Sequence, residues 1–110
     1  MNVRELIPSV THVAKLRLSE VDRAHDGSGG YVISTFSGDI LFIGIGGNIR
    51  DCFATTMSAL KKPAFSSHRQ PVFFHWRLAT NPAALTEIWL KRHRLSEGCV
   101  PLLNSDTLSN

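Results

Sequence analysis

The residues best suited to chemistry in this sequence are cations gathered in one stretch of the chain. Residues 61–94 contain seven Lys/Arg residues and a single acidic residue, Glu87. Because Lys and Arg neutralise phosphates, such a stretch favours contact with a polyanion such as nucleic acid. The alternative interpretation is an ordinary solvated face. The phosphate-binding candidates in it are Lys61, Lys62, His68, Arg69 and Arg77.

Three aromatic residues, Phe73, Phe74 and Trp76, lie within the same stretch. Exposed aromatic rings can stack on nucleic-acid bases whatever the base sequence. Aromatic residues in a strand more often pack into the core of the protein. The sequence leaves both roles open.

The spacing of cysteines and histidines argues against a zinc or redox centre. Cys52 and Cys99 do not form a CxxC pair, and the histidines form neither an HxxxH nor an HExxH pattern. We therefore expect reduced thiols and no histidine-based metal site. The five scattered histidines are His12, His25, His68, His75 and His93.

A glycine-rich stretch at residues 44–48 lies between a predicted strand and a predicted helix. A dinucleotide-binding loop would need a third glycine where this chain has Ile49, and it would need a βαβ unit. The element before this stretch is a predicted hairpin instead. The sequence therefore argues against a Rossmann-like site.

The composition fits one globular domain with a modest core. The chain has 110 residues, of which 43% are hydrophobic and 19% charged. No apolar run approaches the roughly 20 residues that span a bilayer. The N-terminal residues also lack the apolar segment of a signal peptide. We expect a cytoplasmic protein.

Two runs of β-branched and aromatic residues, 31–36 and 40–45, flank Ser37-Gly38-Asp39 and predict a β-hairpin. The second run is almost wholly apolar, which predicts a central strand buried on both faces between helices. Residues 26–30 predict a loop because three of them are glycines. Residues 1–26 fit either a short helix or a strand.

Two helices follow the hairpin. Asn48 can cap the first, which Pro63 ends and whose apolar residues recur at helical spacing. Residues 72–78 predict a third strand, after which Asn81-Pro82 opens the second helix, with Thr80 or Asn81 as its cap, and Gly98 follows it. The predicted fold is an α/β (α+β) domain with a small three-stranded antiparallel sheet flanked by helices. The predicted apolar faces are Ile49, Cys52, Phe53, Met57 and Leu60 on the first helix, and Leu85, Ile88 and Trp89 on the second.

The ordered set of motifs resembles the GIY-YIG nuclease family. It comprises Gly30-Tyr31-Val32, a tight turn, Phe42-Ile43-Gly44, an Asn-capped helix, a strand, a helix with an early glutamate, and a closing Pro-x-x-Asn. Val32 and Phe42 are ten residues apart, as are the two motif tyrosines in several relatives. The resemblance implies a GIY-YIG-like domain at residues 30–104, an N-terminal extension packed on it at 1–29, and a frayed tail at 105–110.

The resemblance assigns the two tyrosine positions of the family to residues that lack the phenol. In the family, these tyrosines sit side by side on the hairpin, and one helps to activate the water that attacks a phosphodiester. Here the positions are Val32 and Phe42, with Tyr31 one residue early and so expected on the other face of the strand. Phe42 keeps a ring but has no hydroxyl for proton transfer.

A third family position, an arginine that steadies the phosphate, corresponds to Cys52. Arg50 lies two residues earlier, about 200° around the helix, and so is expected to point elsewhere. Because Cys52 also belongs to the apolar stripe of its helix, a small buried core residue is the more natural interpretation.

Two further family positions are retained. Glu87 matches the glutamate that binds a single divalent metal, and a carboxylate suits Mg²⁺. The alternative for Glu87 is an ordinary exposed residue near a helix N-terminus. Asn104 matches the asparagine that closes the site.

The resemblance thus implies a nucleic-acid-binding domain that is weak or inactive in cutting, with DNA rather than RNA as its partner. Hydrolysis of a phosphodiester needs an activated water, a cation and a metal together. A second hypothesis is an active Mg²⁺-dependent endonuclease in which Tyr31, Arg50 or a histidine has taken over the missing roles. A third is a protein-interaction or regulatory module, such as a homodimer, that kept only the fold.

Overall fold

The computed structural model describes residues 2–6, 12–59, 71–99, 101 and 104. Its strands form a single antiparallel sheet in the order β1-β4-β2-β3. The predicted α+β class is confirmed, with four strands in place of three. The elements are α1 (Val3–Leu6), β1 (His12–Lys15), a 3-10 helix (Leu18–Arg23), β2 (Gly29–Ser34), β3 (Ile40–Gly46), α2 (Ile49–Ala59), β4 (Phe73–Leu78) and α3 (Pro82–Glu97).

The additional strand, β1, comes from the N-terminal stretch whose structure the sequence left open. It pairs with β4 from His12 opposite Trp76 to Lys15 opposite Phe73. Residues 12–15 are therefore an integral part of the sheet. The predicted domain boundary at Gly30 falls inside β2, which begins at Gly29.

The position predicted for β3 was wrong. The strand is covered on both faces, as expected, but it forms an edge of the sheet. Its outer edge is met at Ile43 by the side chain of Asn104, which donates to and accepts from the backbone there. A capped edge between two layers of helices needs the same apolar composition as a central strand, so composition could not separate the two.

The sheet separates two hydrophobic clusters. The first lies under α3 and contains Val3, Val32, Ile40, Ile43 and Trp89. The second lies under α2 and the 3-10 helix and contains Ala14, Ala24, Ile33, Ile49, Phe53, Phe74 and Trp76. Successive side chains of β2 therefore enter different clusters, with Val32 in the first and Ile33 in the second.

The cap and apolar face predicted for α2 are confirmed within the described residues. Asn48 Oδ1 accepts from the Asp51 backbone N–H at 3.1 Å. Ile49 and Phe53 are fully buried, while Cys52 and Met57 pack against them as half-buried residues. Leu60, predicted on the apolar face, and Pro63, predicted to end the helix, lie outside the described residues.

In α3 the ends were predicted correctly and the buried face only in part. Asn81 Oδ1 accepts from the Ala84 N–H at 3.2 Å, and Gly98 ends the helix at φ 78°. The buried residues are Thr86, Trp89 and His93, whereas Ile88 is 52% exposed. The face is therefore rotated from the predicted one. None of the helices in the described ranges is long and apolar enough to cross a membrane.

His75 is a buried histidine on the α3 side of β4. Its Nε2 lies 2.8 Å from the hydroxyl of Ser34, which is fully buried. Burial lowers the pKa of His75 to about 4. The imidazole is therefore neutral at physiological pH and acts as a polar member of the core.

This burial predicts a loss of stability in mild acid. An unfolded histidine titrates near 6.5, so the unfolded chain binds the proton first and stability falls as pH drops from about 6.5 towards 4. Between pH 7 and pH 5 we expect the free energy of unfolding to fall by about 1–2 kcal/mol less in His75→Gln than in wild type. The glutamine can still form a hydrogen bond with Ser34. Urea midpoints at both pH values measure the difference. The contribution of His93, whose pKa burial also lowers, cancels because both proteins keep it. Equal losses would contradict this role for His75.

Candidate functional site

Tyr31 and Phe42 form an aromatic pair on the face of the sheet that α2 covers. Their ring centroids are 5.8 Å apart, and Tyr31 also stacks on Phe74 at 5.0 Å. Tyr31 is paired with Gly44 across the hairpin. A Cβ atom at position 44 would lie 2.5 Å from Cζ of Tyr31. The glycine that ends Phe42-Ile43-Gly44 is therefore what makes room for the tyrosine ring.

Val32, expected beside Phe42, lies on the opposite face. It pairs with Ile43, and both are buried beneath α3. The expectation that Val32 lies beside Phe42 was therefore wrong, since neighbouring residues of a strand point to opposite faces. The side chain beside Phe42 is that of Tyr31.

The hydroxyl of Tyr31 is held in its neutral form. Burial raises the pKa of Tyr31 above its usual range, and the nearby Cys52 thiol adds to the rise. No described residue bonds this hydroxyl, and no fully buried side-chain polar atom in the described ranges lacks a partner, so the hydroxyl reaches solvent. A neutral phenol can donate a hydrogen bond to a phosphate oxygen. It is a poor base for activating water.

Cys52, which the resemblance aligns with the arginine of the family, lies near the pair. Its Sγ lies 4.0 Å from the carbonyl oxygen of Ile45. Burial, together with the Asp51 carboxylate, raises the pKa of the Cys52 thiol. The side chain is thus a neutral, half-buried thiol that cannot balance a phosphate charge.

Arg50 does not replace the missing guanidinium. Its Nε donates to the carbonyl oxygen of Ala24 at 3.1 Å. Its backbone N–H donates to the carbonyl oxygen of His25. These bonds hold Arg50 against the loop that follows the 3-10 helix, and the rest of the side chain is exposed. The direction expected from helix geometry, away from Cys52, agrees with this placement.

Asn104 is placed beside the hairpin but uses its amide for structure. Its Oδ1 accepts from the Ile43 N–H at 2.8 Å, and its Nδ2 donates to the Ile43 carbonyl oxygen at 2.8 Å. A turn with the Pro101 carbonyl as acceptor, at 3.0 Å, positions it. Both residues are buried. The Pro-x-x-Asn motif therefore clamps the outer edge of β3.

Glu87 lies in the second turn of α3, on the helix that covers the face opposite Tyr31. It is exposed, and its neighbours Thr86 and Trp89 pack over Gly30. No group of three or more His, Cys, Asp or Glu side chains able to hold a metal occurs in the described ranges. One carboxylate leaves Mg²⁺ dependent on water for its other ligands. This donor set does not make a metal site by itself.

The chain matches no protein-family model, and no curated protein is significantly similar to it.

Of the five predicted phosphate-binding residues, one lies in the described part of the chain. Arg77 is exposed near the end of β4, opposite Gly30 and on the α3 side of the sheet. Further along, Lys91 and Arg94 are exposed on α3. The other four candidates, Lys61, Lys62, His68 and Arg69, lie outside the described residues.

Two of the three aromatic residues considered for base stacking belong to the core. Phe74 and Trp76 are 0% and 2% exposed. Stacking on them is excluded because α2 and the 3-10 helix cover that face. Phe73, which alternates with them along β4, points to the other face and is half-buried.

A cluster of His12, His25 and Trp76 was not foreseen. Nε1 of Trp76 donates to Nδ1 of His25 at 2.8 Å, so this histidine carries its proton on Nε2. The ring of His12 is stacked on the indole at 5.4 Å and 10°. Trp76 is paired with His12 of β1 on one side and with Tyr31 of β2 on the other. The cluster therefore lies at the same level of the sheet as Tyr31. Sequence spacing gave no signal, since the strand holding His12 was not predicted.

Proposed function

We propose that this chain is a GIY-YIG-like domain that binds nucleic acid, DNA rather than RNA, without cutting it at the rate of a nuclease. The observation that carries the proposal is the Tyr31–Phe42 pair beside Cys52. A hairpin and the first turn of a helix bring these three side chains together. The resemblance aligns Phe42 with the second tyrosine of the family and Cys52 with its arginine, and Tyr31 is one residue from the position aligned with the first tyrosine. The proposal interprets the three as a family arrangement in which two of the reactive groups are replaced.

The groups present favour binding over hydrolysis. Phe42 has no hydroxyl, and the neutral phenol of Tyr31 donates a hydrogen bond more readily than it accepts a proton. Cys52 supplies no positive charge to steady the transition state. Glu87 lies on the helix across the sheet and belongs to no group of three or more metal ligands among the described residues, so no step of the proposed function uses a metal.

Attraction to the phosphate backbone comes from cations around the domain. Exposed Arg77, Lys91 and Arg94 contribute charge in the described part of the chain. Binding through such cations releases counterions and weakens as salt rises. Both cysteines are free and Cys99 is exposed, which suits a reducing compartment; the cytoplasm is the proposed location.

The first test is binding to a labelled DNA duplex, followed by fluorescence anisotropy. We expect affinity to fall about 10- to 100-fold between 50 and 200 mM salt, as it does for roughly three phosphate contacts. Tyr31→Phe, which removes only the donor hydroxyl, should weaken binding several-fold. Thr55→Ala, which removes an exposed hydroxyl from α2, is the matched control. No binding at low salt would refute the proposal.

A nicking assay on supercoiled plasmid with Mg²⁺ or Mn²⁺ separates this proposal from an active endonuclease. The proposal predicts no nicking above a buffer control. Nicking that Glu87→Ala abolishes would overturn the binding-only function and support the enzyme. Nicking that survives Glu87→Ala would place the metal elsewhere and would also overturn it.

A further inference from the structure

We propose that the α3-side surface of β1 and β4 binds an unpaired stretch of nucleic acid. The surface consists of the rings of Phe36 and Phe73 with the cations Lys15 and Arg77, and is called the aromatic–basic face below. The class of ligand, nucleic acid, is taken from the proposed function, and to that extent the inference rests on it. The surface lies on the opposite side of the sheet from Tyr31 and Phe42, and Arg77 is the one residue that it shares with the cations named for duplex binding.

Strand register places these side chains on one face. Lys15 is paired with Phe73 across β1 and β4, and Arg77 lies four residues along β4 on the same side. Among the described elements, α3 packs mainly on β2 and β3. The β1–β4 half of that face is therefore left more open, and Val13 at its centre is 41% exposed.

The aromatic part of the face is unusually exposed. Phe36, in the hairpin turn, is 79% exposed. Its ring is stacked on that of Phe73, with centroids 6.1 Å apart and planes at 28°. An exposed ring backed by a second ring offers a flat apolar surface on which a base can stack. Exposed aromatic surface of this kind is a common sign of a binding site.

The charge on the face selects the occupant. Lys15 and Arg77 are both exposed, and the strand positions on this side of β1 and β4 carry no acidic residue: Val13, Lys15, Phe73, His75 and Arg77. Two cations beside aromatic rings complement a chain of phosphates and bases. In a duplex the bases stack on one another, so only an unpaired strand presents base faces to Phe36 and Phe73.

The test compares binding of a labelled single-stranded oligonucleotide with binding of the duplex. Phe36→Ala should weaken single-strand binding about tenfold, the loss of one base–aromatic stack, and leave duplex binding unchanged. Leu95→Ala is the matched control, because Leu95 is an apolar side chain equally exposed at 79%. Lys15→Ala with Arg77→Ala should weaken single-strand binding and lower its salt slope, beyond the effect of Lys91→Ala with Arg94→Ala.

The outcomes separate the two proposals. Duplex binding without single-strand binding would overturn the aromatic–basic face alone, and failure to bind either ligand would overturn both. If neither Phe36→Ala nor the double variant Lys15→Ala with Arg77→Ala changes single-strand binding, the strand binds elsewhere on the domain and the assignment to this face is overturned. A dimer in sedimentation analysis that Phe36→Ala dissociates would assign the face to a second copy of the chain and overturn nucleic acid as its occupant.

Discussion

Replacing Asn104 with alanine is expected to lower the free energy of unfolding by about 2–4 kcal/mol. The change leaves the N–H and C=O groups of Ile43 without the amide that bonds them. Each buried polar group that loses its partner costs about 1–3 kcal/mol. The effect is large for one polar side chain because the same amide serves both groups. Urea unfolding of the two proteins measures it.

Asn104→Asp provides the control. At neutral pH an aspartate keeps the acceptor for the Ile43 N–H but faces the Ile43 carbonyl with a negative charge, so it should be at least as destabilising as alanine. Protonation restores a donor, so this variant should regain stability as pH falls, against the trend of wild type. An Asn104→Ala variant as stable as wild type would show that the clamp on β3 is dispensable.

The second large effect is expected from Gly44→Ala. Its Cβ would lie 2.5 Å from Cζ of Tyr31 and 2.7 Å from Cε1 of Phe42, so both rings must move. Overfilling a packed site of this kind costs about 1–3 kcal/mol. Displacement of the Tyr31 hydroxyl should weaken DNA binding at least as much as Tyr31→Phe does. Thermal unfolding and anisotropy measure the two consequences.

A double-mutant cycle shows whether the cost arises at the tyrosine. In a Tyr31→Ala background much of the clash is absent, so Gly44→Ala should cost about 1 kcal/mol less than in wild type. Gly47→Ala is the matched control, since a Cβ there meets nothing within 4 Å. Additive losses from Tyr31→Ala and Gly44→Ala would contradict the close packing of this pair.

The elements that the sequence predicted well are those specified by nearby residues. Asn48 and Asn81 each supply a side-chain oxygen to a backbone N–H three residues later, and Gly98 takes the left-handed conformation that ends a helix. Such signals depend on a few consecutive residues, so they can be seen without the rest of the fold. The two helices follow from them, whereas the hairpin follows from two runs of β-branched and aromatic residues around a short turn.

The features that could not be predicted depend on distant partners. β1 has four residues and owes its conformation to pairing with β4, a partner that composition does not reveal. The rotation of the buried face of α3, which exposes Ile88, is set by the contact of Trp89 with Gly30. A strand's faces are also sensitive to a single residue: aligning Val32 rather than Tyr31 with the first motif tyrosine placed the wrong side chain beside Phe42.

The candidate site divides in the same way. Phe42, Gly44 and Cys52 follow one another closely in the chain, so their relation to the hairpin and helix could be expected. The two-sided bonding of Asn104 and the contact of His12 with Trp76 join residues far apart in sequence. They become visible only when the strands are paired.

Asn104 also sets the order in which the fold can be completed. β3 ends at Gly46, but the amide that covers its outer edge is synthesised much later in the chain. A nascent or truncated chain that stops before Pro101 therefore presents an apolar strand with open backbone groups, ready to pair with another chain. Emergence of Asn104 from the ribosome should mark the change from an aggregation-prone chain to one whose β3 edge is bonded within the domain.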